Sequence, residues 1–134
     1  MTREVINPSS IYDSLQYGFS HAVKSQGKTD IHCAGQLAWD ESGNLVGADD
    51  LAKQTQQVFK NLTTVLREAG ARPADVVRMR TYIVNLKPQD LEVIGHAIAE
   101  FYGDVLPAAN TLIGVQSLAQ PDLLIEIEVT ATIE

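Results

Sequence analysis

Two glutamates near the end of the chain, in "IEIE" at 125–128, are the residues whose type and spacing best suit chemistry. On a β-strand Glu126 and Glu128 project from one face, roughly 7 Å apart. That is close enough for each to influence the other's ionisation and far enough for them to act separately. A carboxylate facing a cleft orients or deprotonates a water for attack on an electrophilic carbon; the plainer reading of the same pair is a solvated strand face. Gly35 and Gln36, at the end of another strand-like stretch, offer a backbone amide and a side-chain amide to a polar ligand, or simply end a strand. Asn110, in "PAANTLIGV" at 107–115, is a neutral carboxamide where a loop enters a strand, a frequent location for binding groups.

Other reactive groups point to less. His21, His32 and His96 fall on three different elements with no HxH, HExxH or CxxC spacing, so no metal site is expected. Cys33 is the single cysteine and lies in the apolar-looking "DIHCAG"; it forms no intrachain disulfide and reads as a buried thiol rather than a nucleophile. Glycine-rich phosphate loops and GxSxG elbows are absent. The triplet Asn61-Leu62-Thr63 falls in the middle of an expected helix, where a glycosylation site is coincidence.

These groups need a scaffold, and 134 residues with 45% hydrophobic and 20% charged content suffice for one domain with a real core. A net charge of −7, with only ten scattered Lys and Arg, argues against nucleic acid as the ligand, because phosphate-chain affinity comes largely from clustered cations. No run of about 18 apolar residues occurs and the N-terminus is polar from its second residue, so neither a membrane span nor a secretory signal is expected. The expected setting is the cytoplasm.

The hydrophobic period sets the elements. "SHAVKSQGKTDIHCAG" at 20–35 reads as two short strands hairpinned around Gly27. Leu51, Val58, Leu62, Val65, Leu66 and Ala69 then recur at helical spacing, with Asp49 and Asp50 at the N-terminal end and Gly70 at the C-terminal end. Residues 76–84 form a strand with Val77, Met79, Thr81 and Ile83 on one face and Val76, Arg78, Arg80, Tyr82 and Val84 on the other. A second helix runs from about Pro88 to Tyr102, with Leu91, Ile94, Ile98 and Phe101 on its buried stripe, and two strands follow at 110–116 and 123–133. In the last, Ile125, Ile127, Val129, Ala131 and Ile133 alternate with Glu126, Glu128, Thr130, Thr132 and Glu134. The fold class is therefore α+β, with two helices on one face of a mixed sheet and a polar second face that an oligomer could cover. Arg80 is expected to pair with Glu128 or a neighbouring subunit, with a substitute ligand clamp as the alternative.

Taken together, "FSHAV" at 19–23, "AGQ" at 34–36, "QQVFKNLTTVLREAG" at 56–70, "DVVRMRTYIVNL" at 75–86, the proline-led strand at 107–115 and "IEIE" resemble the Rid family, the reactive intermediate deaminases also called YjgF-like proteins. The resemblance covers nearly the whole chain. It implies a chorismate-mutase-like fold, a homotrimer with three clefts between subunits, a small-molecule ligand and no cofactor. The implied activity is hydrolysis of 2-imino or 2-enamino acids to 2-keto acids and ammonia, with an arginine pairing the substrate carboxylate, a tyrosine lining the pocket and a glutamate positioning the water. The family glutamate falls on Glu126 and its glycine on Gly35, beside Gln36. Its serine falls on Ala34, its tyrosine on Phe19, its arginine on Asn110, and Leu112 stands where some members have cysteine. A guanidinium gives a carboxylate two parallel charge-assisted hydrogen bonds, and a carboxamide does not. Expected is a Rid-like hydrolase whose substrate differs from the usual 2-imino acids, with Glu126 as the catalytic residue and Phe19, Gly35, Gln36, Asn110 and Leu112 as its binding residues. The other readings are a non-catalytic metabolite-binding or regulatory trimer and, least supported, a ribonuclease.

Overall fold

The computed structural model describes residues 2–134. Strand β6 (Ile125–Ile133) organises it, pairing antiparallel with β3 (Thr29–Gln36) on one side and β4 (Val76–Val84) on the other. Parallel to β4 runs β5 (Ala109–Val115), giving a mixed sheet of order β3-β6-β4-β5. Helix α1 (Leu51–Glu68) connects β3 to β4, and α2 (Asp90–Tyr102) makes the crossover that the parallel β4–β5 pair requires.

The alternation in β6 decides where the helices lie. Ile125, Ile127, Val129 and Ala131 are buried, and they meet Val58, Leu62 and Leu66 of α1 and Ile94 and Ile98 of α2 in one core with Met79 and Ile83 of β4. Each such side chain taken out of water contributes roughly 1.5–3 kcal/mol. Between them Glu126, Glu128 and Thr130 remain partly exposed on the opposite, open face. The start of α1 is fixed by Asp50, whose carboxylate accepts from the Lys53 backbone N–H at 3.0 Å, and the chain leaves the helix through Gly70 at φ +84°.

Three expectations change. Residues 20–35 are not a hairpin: β2 (Ala22–Gln26) pairs with an N-terminal strand, β1 (Thr2–Ile6), while β3 joins β6. A two-residue hairpin loop needs a positive φ at its first residue, and Gly27 does not adopt one. Val76 is buried rather than on the Arg78 face, because a β-bulge between Val76 and Arg78 resets the alternation. Leu91 is 50% exposed, since it sits on the flank of α2 beside the loop before β2, outside the stripe that meets the sheet.

Two polar ties join distant segments. Arg3 on β1 donates through Nε to the Val76 carbonyl at 2.9 Å and through Nη2 to the Leu106 carbonyl at 2.7 Å, fastening the N-terminal strand to the beginnings of β4 and β5. Gln54, wholly buried on α1, accepts from the Leu124 N–H at 2.8 Å and donates to the carbonyls of Gly47 at 3.1 Å and Asp122 at 3.0 Å. It thereby sets where the chain enters β6. Gln54→Leu removes the partner of three backbone groups at once, so it should lower stability by about 2–4 kcal/mol. Exposed Gln56→Leu, on the same helix, should shift it by less than about 0.5 kcal/mol. Urea unfolding of both variants measures the difference; equal midpoints would show that water replaces the glutamine without cost.

Candidate functional site

On the open face, Glu126 of β6 lies opposite Tyr82 of β4, and Glu128 lies opposite Arg80. The two carboxylates have unlike surroundings. Glu128 accepts a hydrogen bond from the Tyr82 hydroxyl at 2.9 Å and pairs with the Arg80 guanidinium at 3.6 Å. Among the described residues, no hydrogen bond or ion pair ties down Glu126. Burial, and then the charge of Glu128, push its carboxyl above the ordinary carboxylate range. Glu126 is therefore a carboxylate with free lone pairs and raised proton affinity, while Glu128 is held by its two partners.

Gly35 is the second element of this half. Three steps along β3, Cys33 to Gln36, match two along β6, Val129 to Ile127, so a bulge adds one residue to β3 opposite Glu128, one pleat from Glu126. A Cβ on Gly35 would overlap the Glu126 carboxylate, which lies directly over the backbone there. Only glycine permits that approach. Gln36 donates from Nε2 to the Ala34 carbonyl at 3.2 Å, and with Gly35 it borders a groove of about 740 Å³ against the polar side of α1.

Phe19, Asn110 and Leu112 lie elsewhere. They line one cavity of about 820 Å³, walled by the loop at 15–19, by α2 and by β5. Asn110 pairs in register with Met79, and Leu112 with Thr81, both buried against the helices, so the cavity opens on the helix side of the sheet and not on the side of Glu126. Within one subunit the residues expected to share a site thus form two sets on opposite faces of the sheet. Arg80, committed to Glu128 on the open face, does not share the side on which Asn110 lies, so within a subunit it is the ion pair and not a substitute clamp.

The cavity wall is held by groups the sequence did not single out. Buried Ser20 accepts from Asn7 at 3.3 Å and donates to the Pro107 carbonyl at 2.6 Å, while its backbone N–H donates to the Ala108 carbonyl at 3.0 Å. This fastens the Phe19 loop to the start of β5. Phe19 stands edge-to-face with Tyr12 and His21, at centroid distances of 6.5 and 5.8 Å. Behind Asn110, the buried Thr81 hydroxyl donates to Oδ1 at 3.3 Å. Its one sequence signal was a hydroxyl on the apolar face of β4, where a buried donor requires a partner.

A family profile described as "Endoribonuclease L-PSP" matches residues 13–133. The chain belongs to the Rid family. A Rid-family protein of unknown function from Yersinia pestis, YyfB, is 56% identical, with a TM-score of 0.97 over 99% of this chain and 100% of that one. A RutC family protein of Pyrococcus abyssi is 35% identical over 75% of this chain and 76% of its own length. RidA from an Antarctic Psychrobacter is 26% identical over 85% of this chain and 87% of that one, with a TM-score of 0.69. The α+β architecture with two helices on a mixed sheet is thus that of the Rid structures.

The environment of Glu126 in this Rid protein has a measurable consequence. Its folded-state pKa lies above the usual 4.5, so the folded protein binds more protons than the unfolded chain between those two values, and stability falls as pH rises through that window. Glu126→Gln removes this penalty. The variant should be at least as thermostable as the parent at neutral pH, and its advantage should vanish below the usual carboxylate value. Thermal unfolding from about pH 3.5 to about pH 8 follows the trend; a variant less stable at neutral pH would show that favourable contacts hold the carboxylate.

Proposed function

We propose that this Rid protein is a hydrolase of a small imine, enamine or related metabolite other than the usual 2-imino acids, working in clefts between subunits of a homotrimer. The observation that carries this reading is the unpartnered, proton-seeking Glu126 carboxylate lying against the Gly35 backbone. In the proposed reaction the carboxylate takes a proton from a water whose oxygen bonds to the C=N carbon. The C=N π pair moves to the nitrogen, which takes that proton from Glu126; the hydroxyl of the resulting carbinolamine then passes its proton through Glu126 to the nitrogen as C=O forms and the C–N bond breaks, so that a carbonyl compound and ammonia leave, an enamine first tautomerising to the imine. A general base with raised proton affinity suits this step near neutral pH.

The separation of the two half-sites supports placing the cleft between subunits. Glu126 and Gly35 of one protomer can face Phe19, Asn110 and Leu112 of the next, whereas inside a single chain the sheet stands between them. The partly exposed carboxylates, Arg80 and Tyr82 of the open face are the groups such an assembly would cover. Asn110 in the place of the clamp arginine supports a substrate that does not depend on a carboxylate. The family profile's name refers to RNA cleavage, but a charge of −7 and an open face bearing two glutamates disfavour a polyphosphate chain.

Turnover of an imine panel, with 2-aminoacrylate generated from cysteine and a lyase as the carboxylate-bearing member, tests the proposal by following ammonia and carbonyl product. Neutral imines should be consumed faster than 2-aminoacrylate, and Glu126→Gln should slow turnover by about 10²-fold or more while leaving binding intact. Gly35→Ala should reduce turnover as well, because its Cβ displaces the carboxylate. Absence of turnover across the panel, with ligand binding retained, would favour the non-catalytic binding trimer instead.

A further inference from the structure

The cavity that holds Asn110 carries information about its ligand beyond the reaction type. Its floor and walls include Phe19, Ile94, Ile98 and Leu112, and at its rim Leu15, Tyr17 and Leu91 stay 39%, 61% and 50% exposed. Large apolar side chains left in water around an apolar cavity mark a surface that an apolar group covers. The only ionisable side chains of charge-bearing type on its lining are Glu92 and His96; no lysine or arginine lines it among the described residues. His96 is itself paired with Glu100 at 3.1 Å, so the cavity offers an anion no free cation.

Of the polar side chains that remain on the lining, Gln16 donates its Nε2 to the Asp13 carbonyl at 3.1 Å and Tyr17 stands exposed at the rim, whereas Asn110 is oriented from within the sheet. Thr81 is wholly buried and its hydroxyl donates to Asn110 Oδ1, which turns the oxygen toward the sheet and leaves the Nδ2 hydrogens available to a ligand. A group that donates two neutral hydrogen bonds selects an acceptor: a carbonyl, a carboxamide oxygen or an imine nitrogen. A carboxylate would accept these bonds too, but it would enter the apolar cavity without a counter-charge and near Glu92, which is the costly arrangement.

We propose that this cavity binds an uncharged ligand with an apolar aliphatic or aromatic body, its acceptor atom on Asn110 Nδ2 and its body against Phe19, Ile94 and Ile98. This rests on the proposed hydrolase site in naming its substrate class, although the binding itself requires no turnover.

The matched, unreactive pair 3-phenylpropanamide and 3-phenylpropanoate tests it at neutral pH on the full-length protein, by calorimetric titration and by the side-chain amide NMR resonances of the labelled protein. The amide should bind at least about tenfold more tightly than the acid, a gap of about 1.4 kcal/mol, and should shift the Asn110 resonance. Asn110→Asp preserves size and the bond from Thr81 but replaces the Nδ2 donors with an acceptor, so amide affinity should drop about tenfold. Asn110→Arg should reverse the preference toward the acid; if that variant does not fold, the Asp variant decides alone. Equal or tighter binding of the acid to the parent protein, amide affinity unchanged in Asn110→Asp, or no binding of either compound up to its solubility would overturn the assignment. If the amide binds as stated and no imine is hydrolysed, the hydrolase reading falls and this one stands; if neutral imines are hydrolysed faster than 2-aminoacrylate and yet the acid binds better than the amide, the reverse holds.

Discussion

One-sided burial of β6 is the constraint on which the domain depends. The strand lies at the centre of the sheet, bonded on both edges, and its apolar residues occupy alternate positions from Ile125 to Ala131. A shift of β6 by one residue against its neighbours would turn those side chains toward water and bring Glu126 and Glu128 into the core. The register is consequently fixed by the same pattern that keeps the two carboxylates together on the open face. Core formation and the presentation of the acidic pair are one event.

The two β-bulges act as local exceptions to that register, and each has an effect on side-chain placement. The bulge at Val76 adds an apolar side chain to the core and sets where β4 begins. The bulge between Cys33 and Gln36 brings a backbone without a side chain over Glu126. Tyr82 and Arg80, opposite neighbours on β4, then differentiate the acidic pair by engaging Glu128 alone. Two chemically identical residues come to have different surroundings because of what lies one strand away.

Much of this was legible in the sequence, for identifiable reasons. Strand β4 spans the expected 76–84, α1 ends before its expected Gly70, and the alternation in β6 predicted which side the helices cover, because each is a local pattern of sufficient length. The pairing of β2 with β1 was not legible: the turn residues at 25–30 mark a change of direction but not which edge the chain joins. Nor was the cavity, since its walls come from the 15–19 loop, α2 and β5, brought together by crossover and by Ser20 reaching Pro107. Gly35 and Asn110 were singled out by their places at strand ends and then by family resemblance; the contact with Glu126 and the bond from Thr81 came from the fold.

The placement of Asn110 beneath the sheet and Glu126 above it puts the cavity and the unpartnered carboxylate in different layers of the domain. Changes in β5, α2 or the 15–19 loop can redraw the cavity while the bulge, the glycine and the acidic pair remain as they are. The architecture is thus divisible along its midplane: substitutions on one layer alone can change the lining of the cavity without disturbing the carboxylates on the other.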